Sequence, residues 1–137
     1  MKKLFLGLSL LVSISYAKFQ TIDSNQLLKM QKDGVVVIDI RTPQEWKDTG
    51  IIKGSKTIEF FNEKGGVDFI SFMKDFTKYV KNSEQSFIIY CAHANRTKTI
   101  GNLFTQLGIP NVYHLKGGIN YGWRDLGKKT VSYKKEK

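Results

Sequence analysis

The stretch Ser86-Phe87-Ile88-Ile89-Tyr90-Cys91-Ala92-His93-Ala94-Asn95-Arg96-Thr97 decides the fold. Ser86 to Tyr90 has the composition of a buried strand, and Cys91 to Arg96 forms a loop leading into a helix that begins near Thr97. Ile100, Leu103, Phe104 and Leu107 recur at helical spacing, and Gly108 with Pro110 stops the helix. A buried strand feeding a helix in this way is one unit of an α/β fold.

The same alternation extends outward in both directions. Upstream, Val35-Val36-Val37-Ile38-Asp39-Ile40 is a continuous β-branched run, the pattern of a strand covered on both faces in a parallel sheet. Lys18 to Ile22 reads as a short strand. Asp23 or Ser24 caps a helix through Leu27, Leu28 and Met30 that ends near Gly34. Pro43 suits the first turn of a short helix through Glu45 and Trp46. Gly50 to Gly54 turns the chain into a third strand over 56–60, and Gly65-Gly66 marks the loop after it. Asp68 caps a helix whose stripe Phe69, Phe72, Met73, Phe76 and Val80 faces the core. Downstream, Asn111 to Leu115 gives a fifth strand, Gly117-Gly118 a tight turn, and Ile119 to Leu126 a final short helix. Trp46 and Trp123 read as packing residues. The expectation is an α/β fold with a five-stranded, mostly parallel sheet and helices on both faces.

The chain starts with Lys2 and Lys3, runs apolar from Leu4 to Ile14, and reaches Ser15-Tyr16-Ala17, the pattern of a secretory signal peptide cleaved after Ala17. The apolar run of about a dozen residues is shorter than the roughly 20 needed to span a bilayer, so no stable membrane insertion is expected after cleavage. A periplasmic or secreted protein follows, with residues 1–17 as signal, 18–127 as one domain and 128–137 as a basic tail. The formal charge of the whole chain is +10. The tail carries five basic residues against one acidic and is expected to be solvated and frayed. The domain itself shows no dense basic stripe, which argues against nucleic acid as a partner.

Cysteines of exported proteins usually pair, and this chain has one. Its position outweighs its number. Cys91 follows a buried strand at the edge where parallel α/β sheets bind ligands, ahead of a helix N-terminus whose amides and dipole favour an anion. That setting favours a thiolate and the charged species formed when it accepts sulfur. Arg96 adds a positive charge or braces the loop. Asp39 and Arg41 read as structural, with Asp39 bonding nearby backbone and Arg41 pinning the surrounding loops. His93 is balanced between a role with an anionic donor and mere exposure, and His114 reads as structural. One cysteine and two scattered histidines show no ligand spacing, so neither a metal nor another cofactor is expected.

These residues resemble the rhodanese-like sulfurtransferases, in particular small single-domain exported members, over roughly 19–127. Cys91-Ala92-His93-Ala94-Asn95-Arg96-Thr97 looks like the family's Cys-x-x-Gly-x-Arg-Ser/Thr loop. Asp39-Ile40-Arg41, then Glu45-Trp46, then Gly50-Ile51-Ile52-Lys53-Gly54-Ser55, is similar to the upstream signature, and Leu115-Lys116-Gly117-Gly118 with Trp123 resembles the final turn and helix. Ala94 stands where the family has glycine, and Ile51 where it has histidine. The resemblance implies transfer of sulfane sulfur through a persulfide on Cys91, with Ala92, His93, Ala94, Asn95, Arg96 and Thr97 as the substrate-binding loop. The implied partners are a small anionic donor such as thiosulfate, or a partner protein's persulfide, and a thiol or cyanide acceptor. Four residues separate Cys91 from Arg96, whereas related phosphatase and arsenate-reductase loops hold one more, which ranks sulfur transfer above phosphate ester hydrolysis. Ala94 keeps a second reading open, a rhodanese fold that carries sulfur or docks a protein without turnover.

Overall fold

The computed structural model describes residues 19–135 of the 137-residue chain. The expected signal segment therefore lies outside the described residues. Five strands, β1 (Gln20–Ile22), β2 (Val36–Asp39), β3 (Lys56–Thr57), β4 (Phe87–Tyr90) and β5 (Val112–Leu115), form one sheet in the order β1-β5-β4-β2-β3. Every pairing is parallel. The helices are α1 (Ser24–Lys32), α2 (Pro43–Thr49), α3 (Phe69–Phe76), α4 (Asn95–Gln106) and α5 (Gly118–Tyr121), followed by a 3₁₀ turn at Arg124–Leu126.

Side chains along a strand alternate between faces, and β4 shows why both faces need cover. Phe87 and Ile89 join Ile38, Phe72, Phe76, Ile100 and Phe104 on the side of α3 and α4. Ile88 and Tyr90 join Leu27, Val37, Leu115, Ile119 and Trp123 on the side of α1 and α5. All four residues of β4 are buried, as a central parallel strand requires. Local chemistry fixes the ends of the helices. Asp23 caps α1 in a reciprocal box with Gln26, and Thr42 caps α2 in the same way with Glu45.

Five expectations need correction. The third strand is regular only over Lys56–Thr57, although Ile58 N and Phe60 N still donate to Asp39 O and Ile40 O and both side chains are buried. In the stripe of α3, Phe69 is exposed, and Leu107 after α4 is 51% exposed. α4 starts at Asn95 rather than near Thr97. The basic tail does not fray where it begins: Ile51 and Val131 exchange backbone hydrogen bonds of 2.9 Å, the Thr130 hydroxyl donates to Thr49 O, and the Tyr133 ring lies 5.2 Å from that of Trp46. Charge counting missed this because the interleaved Thr130, Val131 and Tyr133 suit an extended segment against apolar surface. Gly50 admits the segment, since at its φ of 71° a Cβ would stand 2.5 Å from Val131 O.

Candidate active site

β4 delivers Cys91 to the C-terminal edge of the sheet, on the face of Phe87 and Ile89, where the sulfur meets α4. Cys91 is 1% exposed, and its thiol lies 3.9 Å from the hydroxyl of Thr97. The loop then turns through Ala94, whose φ of 68° and ψ of 4° are left-handed. Among the described residues it is the one non-glycine with positive φ. An L-residue there costs about 1–2 kcal/mol. The turn brings the first residues of α4 beside the sulfur, and the first helical bond runs from Lys98 N to Ala94 O. The amides of Ala94 to Thr97 are thus the four that a helix start leaves without intrahelical partners.

α5 closes the opposite side. Ile119 N donates to Cys91 O at 2.8 Å and Asn120 N to Ala92 O at 3.1 Å. Gly118, at φ 64°, makes the approach possible, because a Cβ there would stand 2.5 Å from Cys91 O. His93 sits at the exposed rim, accepting from the Asn120 amide at 3.1 Å with its ring 4.8 Å from Tyr121.

Arg96 reaches back to α2, where its two terminal nitrogens donate to the Glu45 carboxylate at 2.8 and 2.6 Å. Burial opposes the ionisation of Glu45, but Arg96 and the Thr42 amide outweigh it and hold the carboxyl down to about 2. The bond to Glu45 keeps Arg96 charged, and nearby Cys91 adds to that pull. Arg96 is therefore a braced cation beside the sulfur. A cleft of about 510 Å³ opens alongside, bounded by Thr42, Phe61, Asn62, Asn95, Arg96 and Thr99. A second groove, between β3, α3 and the C-terminal segment, shares no residue with the Cys91 loop.

The structure brings Cys91, Ala92, Ala94, Arg96 and Thr97 together and leaves His93 and Asn95 exposed at the rim. Asp39 and Arg41 lie behind this surface as a buried pair, with Arg41 tying Thr49 and Gly50. Sequence reasoning missed Glu45 as the partner of Arg96, 51 residues away, because the pair joins two separate helices and no local spacing relates them. It also missed the contact between His114 Nδ1 and Thr97. Among the described residues no group of three or more His, Cys, Asp or Glu is placed to hold a metal ion, and no helix is long and apolar enough to cross a membrane.

A thiol at a strand end, beside free helix amides and a braced arginine, suits a nucleophile that handles a small anion. The family model described as Rhodanese-like domain matches residues 23–125. The chain belongs to the rhodanese-like domain family. It is 31% identical over 108 residues to the thiosulfate sulfurtransferase GlpE of Pseudomonas paraeruginosa, covering 79% of this chain and 86% of that one. The rhodanese-related protein of Thermoplasma volcanium is 25% identical, with a TM-score of 0.61 over 84% of this chain and 100% of that structure. The polysulfide-sulfur transferase homodimer of Wolinella succinogenes, 18% identical, shares the fold with a TM-score of 0.63 over 86% of this chain and 82% of the other. In this rhodanese-like domain the loop that follows β4 carries the sole cysteine, and its left-handed turn is made without glycine.

Proposed function

We propose that this rhodanese-like domain is a sulfurtransferase that moves sulfane sulfur from thiosulfate or a related donor to a thiol or cyanide acceptor through a persulfide on Cys91. The observation that carries the reading is Cys91 against the first turn of α4, at 3.9 Å from the Thr97 hydroxyl, with Arg96 of the same turn clamped by Glu45. The naming of GlpE relatives as thiosulfate sulfurtransferases supports thiosulfate as donor.

In the first half-reaction the Cys91 thiolate attacks the outer sulfur of thiosulfate. A bond forms between the two sulfurs, the donor's S–S bond breaks, and its electron pair leaves with sulfite. In the second, cyanide or a thiolate attacks the outer sulfur of the persulfide, and the pair of that S–S bond returns to Cys91 as thiolate. No external oxidant or reductant enters with cyanide, and ping-pong kinetics follow. The α4 amides and Arg96 stabilise the anions at each step.

Incubation with thiosulfate is expected to add the mass of one sulfur atom to the chain and none to Cys91→Ser. Loading without turnover would select the carrier reading, which the strained Ala94 turn favours, and a chain that never loads would sink both. Hydrolysis of an aryl phosphate would point instead to phosphatase chemistry. We also infer export, from Lys2, Lys3, the apolar run and Ser15-Tyr16-Ala17. N-terminal sequencing of the mature protein is expected to begin at Lys18, and retention of Met1 overturns cleavage.

A further inference from the structure

Behind Cys91 lies a buried polar chain that the sulfur-transfer reading leaves unused. β5 alternates like β4, so Val112 and His114 face α4 while Leu115 faces α1 and α5. His114, 2% exposed, therefore meets Thr97, which is fully buried. Its Nδ1 lies 2.8 Å from Thr97 Oγ1, and its Nε2 lies 2.9 Å from the Thr21 hydroxyl on the adjoining strand β1. The ring of Phe19 packs edge-on at 4.8 Å, over Gly101, where a Cβ would collide with it. Burial first, then the charge of Lys98, pushes His114 below its ordinary value, so the ring is neutral near pH 7 and has one N–H to place.

Thr97 Oγ1 has three neighbours: His114 Nδ1, Ala94 O at 3.1 Å and the Cys91 sulfur at 3.9 Å. Ala94 O only accepts. If the ring proton sits on Nε2, Nδ1 takes the Thr97 proton, and neither Ala94 O nor an ionised sulfur receives it. If it sits on Nδ1, His114 donates to Thr97, Thr21 donates to Nε2, and the Thr97 proton is free. Of the two, the second leaves the Thr97 proton for Ala94 O and, once the sulfur is ionised, for the sulfur. We propose that His114 is a positioning residue: its Nδ1–H anchors Thr97 Oγ1 so that the hydroxyl proton swings from Ala94 O to Cys91 whenever the sulfur carries charge. During discharge of the persulfide the electron pair of the breaking S–S bond arrives on Cys91, and this hydroxyl meets it.

The proposal rests on Cys91 as the nucleophile, but its test does not need sulfane sulfur. Nitrogen-15 spectra of the unaltered full chain are expected to show neutral His114 protonated at Nδ1, with a resonance that moves when Cys91 is alkylated. A proton on Nε2 overturns the proposal whatever any variant does. Iodoacetamide alkylation near neutral pH is expected to slow about tenfold in Thr97→Val, the scale of one hydrogen bond to a charged group. A smaller slowing is expected in His114→Leu, with recovery in His114→Asn, whose amide can replace the Nδ1 donor. Folded His114→Leu reacting at the parent rate overturns the positioning role. Failure to load sulfur from thiosulfate with the tautomer as stated would instead overturn the proposed function alone.

Discussion

Arg41 and Arg96 both grip a carboxylate at the C-terminal edge of the sheet, and the contrast between them separates scaffold from chemistry. Arg41 and Asp39 are 1% and 0% exposed in their side chains and only two residues apart. Asp39 takes the Arg41 backbone N–H and side-chain donors, and the remaining guanidinium donors hold Thr49 Oγ1 and Gly50 O. No charge is left over for a ligand. Arg96 and Glu45 are 27% and 32% exposed and 51 residues apart, and Arg96 lines the cleft that opens at this edge. The first pair makes the edge rigid, while the second presents a fixed cation to whatever enters.

The largest expected effect therefore comes from Arg41. Arg41→Met leaves Asp39 buried without a counter-charge and frees Gly50, so stability measured by denaturant is expected to fall by about 3–5 kcal/mol. A loss as small as that of a surface pair would break the contrast. Arg96→Ala is expected to fold nearly as well as the parent yet transfer sulfur about 10²-fold more slowly, the scale of a lost anion-stabilising donor. Unchanged transfer would reduce Arg96 to a brace.

Acid sharpens the comparison further. Glu45 is held at about 2, below the ordinary 4.5. Its contribution is present above the unfolded value and lost as pH falls from there through about 2. Glu45→Gln is expected to be less stable than the parent by about 1 kcal/mol at neutral pH, with the gap closing below the ordinary carboxylate range; solvent screening of a pair one-third exposed keeps the figure small. His114 acts at higher pH. Its depressed value means the unfolded chain takes up that proton first, so stability falls as pH drops below 6.5. Replacing it with leucine is expected to flatten that part of the profile. The smallest effect belongs to the turn between the two regions. Ala94→Gly removes a left-handed strain of about 1–2 kcal/mol but frees the unfolded chain by roughly 0.4–1, so a net gain of about 0.5–1 kcal/mol is expected in thermal unfolding. A loss there would mean that the alanine methyl, 5% exposed, packs for more than the strain it costs.

Much of the fold was legible because each element announced itself locally. Val37 to Asp39 and Phe87 to Tyr90 are buried as the apolar runs they belong to suggest, and Asp23 and Asp68 cap the helices they precede. The errors fall where neighbours decide. Phe69 has the right helical phase but stands exposed at the first residue of α3, and Val131 finds its partner in Ile51, 80 residues away in the chain.

The sequence by itself determined the alternation of strands and helices, the family, and the placing of Cys91 at a strand end, since hydrophobic period, turn residues and motif spacing are all written over short distances. Tertiary structure alone decided which side chains surround the sulfur. Glu45 meets Arg96 because α2 and α4 leave neighbouring strands on the same edge, and His114 meets Thr97 because β5 lies beside β4 with matching register. Strand order and register arise from burying both faces of the sheet at once, a condition no single segment carries.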